Sequence, residues 1–177
     1  MGFFDWLKKP AYAEPVYTVM NDDHVHLYNI LGELRQGGGH GQETDAAREA
    51  RRKHCLTIVK RLLVESVEHF KREEMLMLRY GYPKAAAHKT EHLIMTRSME
   101  MYQSQLSAGS LPPARDIAQY LKNWLTNHIR TTDRLLERFL FDAAKSRDSH
   151  GLMALNAADY AQYRALSGIS RGPRDSA

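Results

Sequence analysis

Apolar residues recur along this chain at steps of three and four in four separate stretches. That is the period of a helix with one buried face. The first stripe is Met20, Leu27, Leu31 and Leu34. The second is Leu56, Val59, Leu62, Leu63, Phe70, Leu76 and Met77, with Ser66 among them. The third is Ala85, Met95, Met99, Tyr102 and Leu106, and the fourth Ile117, Leu121, Trp124, Leu125, Leu135, Leu136 and Phe139. Glycine and proline separate them. Gln36 to Gly41 reads as a flexible loop, Gly81-Tyr82-Pro83 as a tight corner, and Ser107 to Pro113 as a link whose proline suits the first turn of the fourth helix. Short connections join neighbouring antiparallel helices. The expected fold is therefore all-α, an up-down-up-down four-helix bundle.

The same pattern divides the chain. Residues 1–17 read as an N-terminal arm, 18–145 as the bundle, and 146–177 as a C-terminal extension. Within the extension, 156–167 reads as one short helix and 168–177 as disordered. Thr44 or Asp45 can cap the second helix. From there to Tyr80 is about 37 residues, on the order of 55 Å at 1.5 Å per residue. The charged run Ala46 to Lys53 is therefore expected to project past the bundle or to belong partly to a loop.

All four stripes are interrupted by polar residues lying on the apolar face itself. These are His24, then His69 and Glu73, then His88 and His92, then His128 and Asp133. One such histidine alone reads as a hydrogen-bonded core residue. Four interlocked pieces on four buried stripes read as a metal site inside the bundle. Residues i and i+4 lie one above the other on a helix, so His69/Glu73 and His88/His92 each aim two side chains at one point. Five imidazoles and two carboxylates form a mixed nitrogen and oxygen set that suits iron better than calcium, magnesium or a thiolate-bound metal. His128 and Asp133 are five apart, which turns a regular helix about 500° and leaves the two side chains roughly 140° apart. Either the aspartate reaches across from the helix edge or a local π turn brings both to one side; the π turn is expected, and Thr131 and Thr132 can bond the carbonyls it frees. His26, His40, His54 and His150 lie off the pattern, His26 on a solvated face.

Composition narrows the rest. Hydrophobic content of 43% suffices for a core, and a formal charge of +4 is too mild to indicate nucleic-acid binding. The arginines at 48, 51 and 52 and at 171 and 174 read as solvated surface. The single cysteine, Cys55, excludes an internal disulfide and fits a reducing compartment. No stretch approaches the length of an apolar membrane span, and the N-terminus lacks the layout of a secretory signal. A cytoplasmic location is expected. Residues 2–9 make a short amphipathic patch. It suits packing on the bundle, contact with another protein, or weak attachment to a membrane surface through Phe3, Phe4, Trp6 and Leu7.

The flanks of the seven polar residues are distinctive. They are His24-Val-His-Leu27-Tyr28, Glu68-His69-Phe70-Lys-Arg-Glu73-Glu74-Met75, Tyr82-Pro83 with His88-Lys-Thr-Glu-His92, and Trp124-Leu125-Thr-Asn-His128-Ile129-Arg-Thr-Thr-Asp133. Over about residues 18 to 142 this resembles the hemerythrins, the bacterial hemerythrin-like proteins in particular. It differs ahead of the first ligand, where Thr18-Val19-Met20-Asn21 stands in place of a tryptophan.

The resemblance implies a division of labour. His88, His92 and His128 hold one iron, and His24 and His69 hold the other. Glu73 and Asp133 bridge them, with an oxo or hydroxo group as the third bridge. It implies an apolar pocket at Leu27, Trp124 and Leu125, one turn from His24 and His128 on the same faces, with dioxygen as the ligand. The expected function is reversible dioxygen binding for storage, delivery or sensing, and not catalysis. The chain contains no Glu-x-x-His, the motif of carboxylate-rich di-iron bundles. The alternatives are a di-iron enzyme acting on nitric oxide or peroxide, and an oxygen- or iron-responsive regulatory module.

Overall fold

In a computed structural model, the backbone is described for residues 15–36 and 44–146, and side chains for 20–36 and 44–143. The N-terminal arm through residue 14, loop residues 37–43 and the extension from 147 lie outside the described residues. The helices are α1 (Pro15–Gln36), α2 (Asp45–Tyr80), α3 (Ala85–Ser107), α4 (Ala114–His128) and α5 (Arg134–Ser146). A single π turn, Ile129–Asp133, joins α4 to α5, so the two form one continuous rod. The helices pack in a ring, α1 against α2 and α4, α3 against α2 and α4. This is the up-down-up-down four-helix bundle expected from the stripes. None of the described helices is long and apolar enough to cross a membrane.

The ends of the helices follow from their sequence. The Thr44 hydroxyl accepts a hydrogen bond from the Ala47 N–H at 3.2 Å and starts α2. The charged run after it is helical throughout, not a loop. Arg52 explains why it stays folded, because its guanidinium bonds the Glu49 carboxylate at 2.7 Å and the Leu106 carbonyl at the end of α3. At the other end Gly81 takes a left-handed conformation, φ 66°. The Gly81 N–H bonds Leu78 O, the Tyr82 N–H bonds Met77 O, and Tyr82 and Met77 pack in one apolar cluster. That combination stops a helix and turns the chain at once.

The interior has three layers. The larger apolar cluster includes Leu27, Leu34, Cys55, Val59, Phe70, Met99, Leu106, Leu121 and Leu125. A smaller one at the opposite end holds Met20, Met77, Tyr82, Leu136 and Leu140. Met20, from the segment that departs from the expected tryptophan, thus fills a buried place in the second cluster. Between the two clusters lies the polar layer described in the next subsection.

The π turn re-registers everything after it. In an uninterrupted α-helix Leu135, seven residues beyond His128, returns to nearly the same face. The extra residue in the turn moves that face on by one. Leu136 is consequently fully buried, and Leu135, expected on the apolar stripe, is 47% exposed. The two leucines give a direct test. Leu136→Ala is expected to cost about 2–5 kcal/mol, as for a fully buried leucine, and Leu135→Ala no more than about 0.5 kcal/mol. Denaturant unfolding of both variants measures this, and the opposite order would contradict the shifted register.

Candidate metal centre

The polar layer is assembled from all four rods of the bundle. α1 contributes His24, α2 His69 and Glu73, α3 His88 and His92, α4 His128, and the π turn Asp133. Each of these seven side chains is at most 3% exposed, and Glu73 and Asp133 are completely buried. Helical spacing explains the pairs on α2 and α3. The π turn explains the fourth element, since it winds Asp133 back to the side of His128. His128 Nε2 stands 3.0 Å from Asp133 Oδ1. The Thr131 hydroxyl donates to the Asn127 carbonyl at 2.8 Å, the same i→i−4 contact that Thr90, Thr96 and Thr126 make within the regular helices. Thr132 does otherwise and bonds the Glu91 carboxylate on α3.

The two carboxylates each face two ways. Glu73 Oε2 lies 3.3 Å from His88 Nε2 and 3.1 Å from His92 Nε2, while its Oε1 lies 3.5 Å from His69 Nε2. Asp133 Oδ1 lies 3.1 Å from His88 Nε2, and its Oδ2 lies 3.3 Å from His24 Nε2. His24 and His69 bring their Nε2 atoms to 3.1 Å of one another. The seven residues thus form two overlapping groups: His88, His92 and His128 on one side, His24 and His69 on the other, and Glu73 and Asp133 in both.

This arrangement fits a pair of cations. Both oxygens of Glu73, both oxygens of Asp133, and Nε2 of His88, His92 and His128 are buried with no hydrogen-bond partner. Buried polar atoms without partners are costly, and buried carboxylates more so. Nitrogen and oxygen lone pairs that converge without donors between them are what a metal ion satisfies. The electrostatics agree. Burial by itself raises the pKa of Glu73, and so does the neighbouring Asp133, yet the imidazoles of His69, His88 and His92 outweigh both and hold Glu73 far below the usual carboxylate range. Asp133 is likewise held low, against burial, by His128, His24 and His88. Burial lowers His88, but Asp133 and Glu73 reverse the effect and raise it to about 9. The cavity therefore calls for positive charge.

Around this layer the aromatic and apolar residues expected to line a pocket fall in distinct places. The Trp124 indole stacks on the His128 ring, with centroids 4.4 Å apart and planes 15° from parallel. It therefore lies against the three-histidine side. Leu27 and Leu125 are buried in the larger apolar cluster, as is Phe70, whose ring stacks on His92 at 4.1 Å. His26 is partly exposed near Glu65, and His54 is exposed.

Sequence reasoning missed a set of outer carboxylates. Asp23, Glu74 and Glu91 approach the Nδ1 atoms of His69, His92 and His128. Each stands next in sequence to one of the seven converging residues, at the edge of an apolar stripe, and that was the available signal. Glu137, one turn beyond Asp133, was missed too. Burial raises its pKa to about 7, against the lowering influence of His24 and Arg134.

Comparison with known proteins identifies the family of the chain. The sequence profile described as Hemerythrin HHE cation binding domain matches residues 16–140. The bacteriohemerythrin of Methylococcus capsulatus is 27% identical over 115 residues, covering 65% of this chain and 81% of that protein. The hemerythrin of Themiste dyscrita is 28% identical over 117 residues, covering 66% of this chain and 79% of the other. A crystal structure of wild-type hemerythrin superposes with a TM-score of 0.58 at 27% identity, over 67% of this chain and 84% of that one. With its profile match covering residues 16–140, well over half of its length, the chain belongs to the hemerythrin HHE cation-binding family.

Proposed function

We propose that the five histidines, Glu73 and Asp133 hold two iron ions, bridged by the carboxylates and an oxo or hydroxo group, and that the protein binds dioxygen reversibly. The observation that carries this reading is the divided aim of Glu73 and Asp133, each with one oxygen toward either histidine group. In this assignment His88, His92 and His128 serve one iron, and His24 and His69 serve the other, leaving it one protein ligand short. Such a pair, when bound, supplies an open coordination position and the electrons that dioxygen takes up.

The chain supplies the setting. Apolar layers above and below the site keep water and protons from it, which favours release of the ligand over its reduction. Five imidazoles push less electron density onto the metals than a carboxylate-rich set, which again favours carriage over oxidation of a substrate. The bundle of residues 18–145 is the working unit, and storage, delivery and sensing all draw on this chemistry.

Metal analysis of protein from iron-replete cells is expected to give two irons per chain, one for each histidine group. Glu73→Ala or Asp133→Ala is expected to lose both, because each carboxylate touches both groups. One iron per chain, or zinc alone, would refute the reading. Reduced protein exposed to oxygen and then degassed is expected to show a reversible change in its optical spectrum. Irreversible oxidation with turnover of peroxide or nitric oxide would instead indicate an enzyme. Leu125→Ala opens the apolar layer one turn from His128. It is expected to cost about 2–5 kcal/mol of stability and to speed oxidation in air while iron content holds. An unchanged oxidation rate would remove Leu125 from any gating role.

A further inference from the structure

Three of the five histidines carry a second contact on the side away from the site, and the three contacts share one pattern. Asp23 on α1 reaches His69 on α2, with Oδ2 3.4 Å from Nδ1. Glu74 on α2 reaches His92 on α3, with Oε1 3.1 Å from Nδ1. Glu91 on α3 reaches His128 on α4, with Oε2 2.6 Å from Nδ1. Each carboxylate leaves one helix and meets the histidine of the next around the ring. None of the three belongs to the two groups that converge in the polar layer.

Each carboxylate is itself held by a further group. Arg72 donates to Asp23 at 2.7 Å. Lys89 lies 3.1 Å from Glu74. The Thr132 hydroxyl, inside the π turn, donates to Glu91 at 3.0 Å. Asp23 is only 12% exposed and Glu74 29%, so solvent does not fully screen these two pairings; Glu91 is 42% exposed but makes the shortest contact, 2.6 Å, to the fully buried His128. His88 lacks such a contact: its Nδ1 is buried with no hydrogen-bond partner among the described residues.

The chemistry is specific. A carboxylate accepts the Nδ1–H of an imidazole and so fixes the tautomer whose Nε2 carries a free lone pair. In all three histidines Nε2 is the atom that faces the polar layer. The carboxylate also locks the ring orientation and makes the imidazole a stronger donor. We propose that Asp23, Glu74 and Glu91 are positioning residues that orient His69, His92 and His128 as iron ligands and set how tightly the pair of irons is held and how readily it is reduced. This rests on the di-iron reading given above. Two of the carboxylates serve the three-histidine group and one serves the two-histidine group, so the first group is the more firmly braced.

The test uses the full chain loaded with iron and the variants Asp23→Asn, Glu74→Gln and Glu91→Gln, which keep size and remove charge. Two quantities are measured, iron loss to an excess of a strong chelator and the reduction potential of the bound iron. Each variant is expected to hold iron about 10- to 100-fold less tightly, as when carboxylates behind metal-bound histidines are removed elsewhere. Each is also expected to have a more positive potential, since a weaker imidazole donor stabilises the oxidised metal less. A contact that only braced the fold would leave the potential unmoved. Thr132→Val keeps the Glu91 charge but releases its anchor, and should give a smaller shift in the same direction. It also decides the matter if Glu91→Gln fails to reach parental helicity by circular dichroism. Variants that match a parent holding two irons in both measurements would overturn the inference and leave the di-iron reading standing. A parent that holds fewer than two irons would end both.

Discussion

Two carboxylates with no exposure to solvent lie at the centre of this bundle, and the rest of the interior is arranged around them. Isolated in an apolar core, an ionised carboxylate is so costly that it takes up a proton or finds a cation. Here Glu73 and Asp133 lie within hydrogen-bonding range of imidazole nitrogens from all four rods, and none of those contacts is oriented as a hydrogen bond. The need for cations is thus built into the fold. It explains why polar residues interrupt every apolar stripe at the same height. It also explains why the core divides into a larger cluster on one side and a smaller one on the other.

The π turn is the local cost of that arrangement. Asp133 follows His128 by five residues, a spacing that no straight α-helix folds onto one point. One wider turn corrects it. Within it Thr131 bonds the Asn127 carbonyl, and Thr132 turns toward α3, where it holds Glu91 against His128. A backbone irregularity of a few residues therefore places Asp133, the Thr132 hydroxyl that anchors Glu91, and the buried Leu136 of α5 at once. It also makes α5 dependent on the polar layer, because an element re-registered to bring Asp133 into that layer packs its own core in that register.

Packing and electrostatics meet in the rings around the histidines. Phe70 lies flat on His92 and Trp124 lies flat on His128, so the three-histidine side is held by stacked rings as well as by carboxylates. His24 and His69 meet edge to face, with no such cover from Trp124 or Phe70 at stacking distance. The two halves are equally buried and differ in what lies against their rings.

Much of this was legible in the chain. Periodicity determined the four helices and the burial of His24, His69, His88, His92 and His128, because a residue on an apolar stripe of a bundle has nowhere else to go, and the short connections determined their antiparallel order. The five-residue step from His128 to Asp133 showed that a regular helix does not aim both at one point; a reach from the helix edge or a π turn would serve, and the structure has the π turn. Periodicity did not determine what lies past an irregularity or between helices. Leu135 matched the stripe and is exposed, since one inserted residue moves every later position by about 100°. Asp23, Glu74 and Glu91 looked like ordinary charged neighbours at the edges of the stripes. Which histidine each one meets depends on the packing order of the rods and on distances across their interfaces, which no single helix's sequence encodes. The divided aim of Glu73 and Asp133 is of the same kind. A side chain's identity fixes what it can bind, but the direction of each oxygen is decided only when four helices close around it.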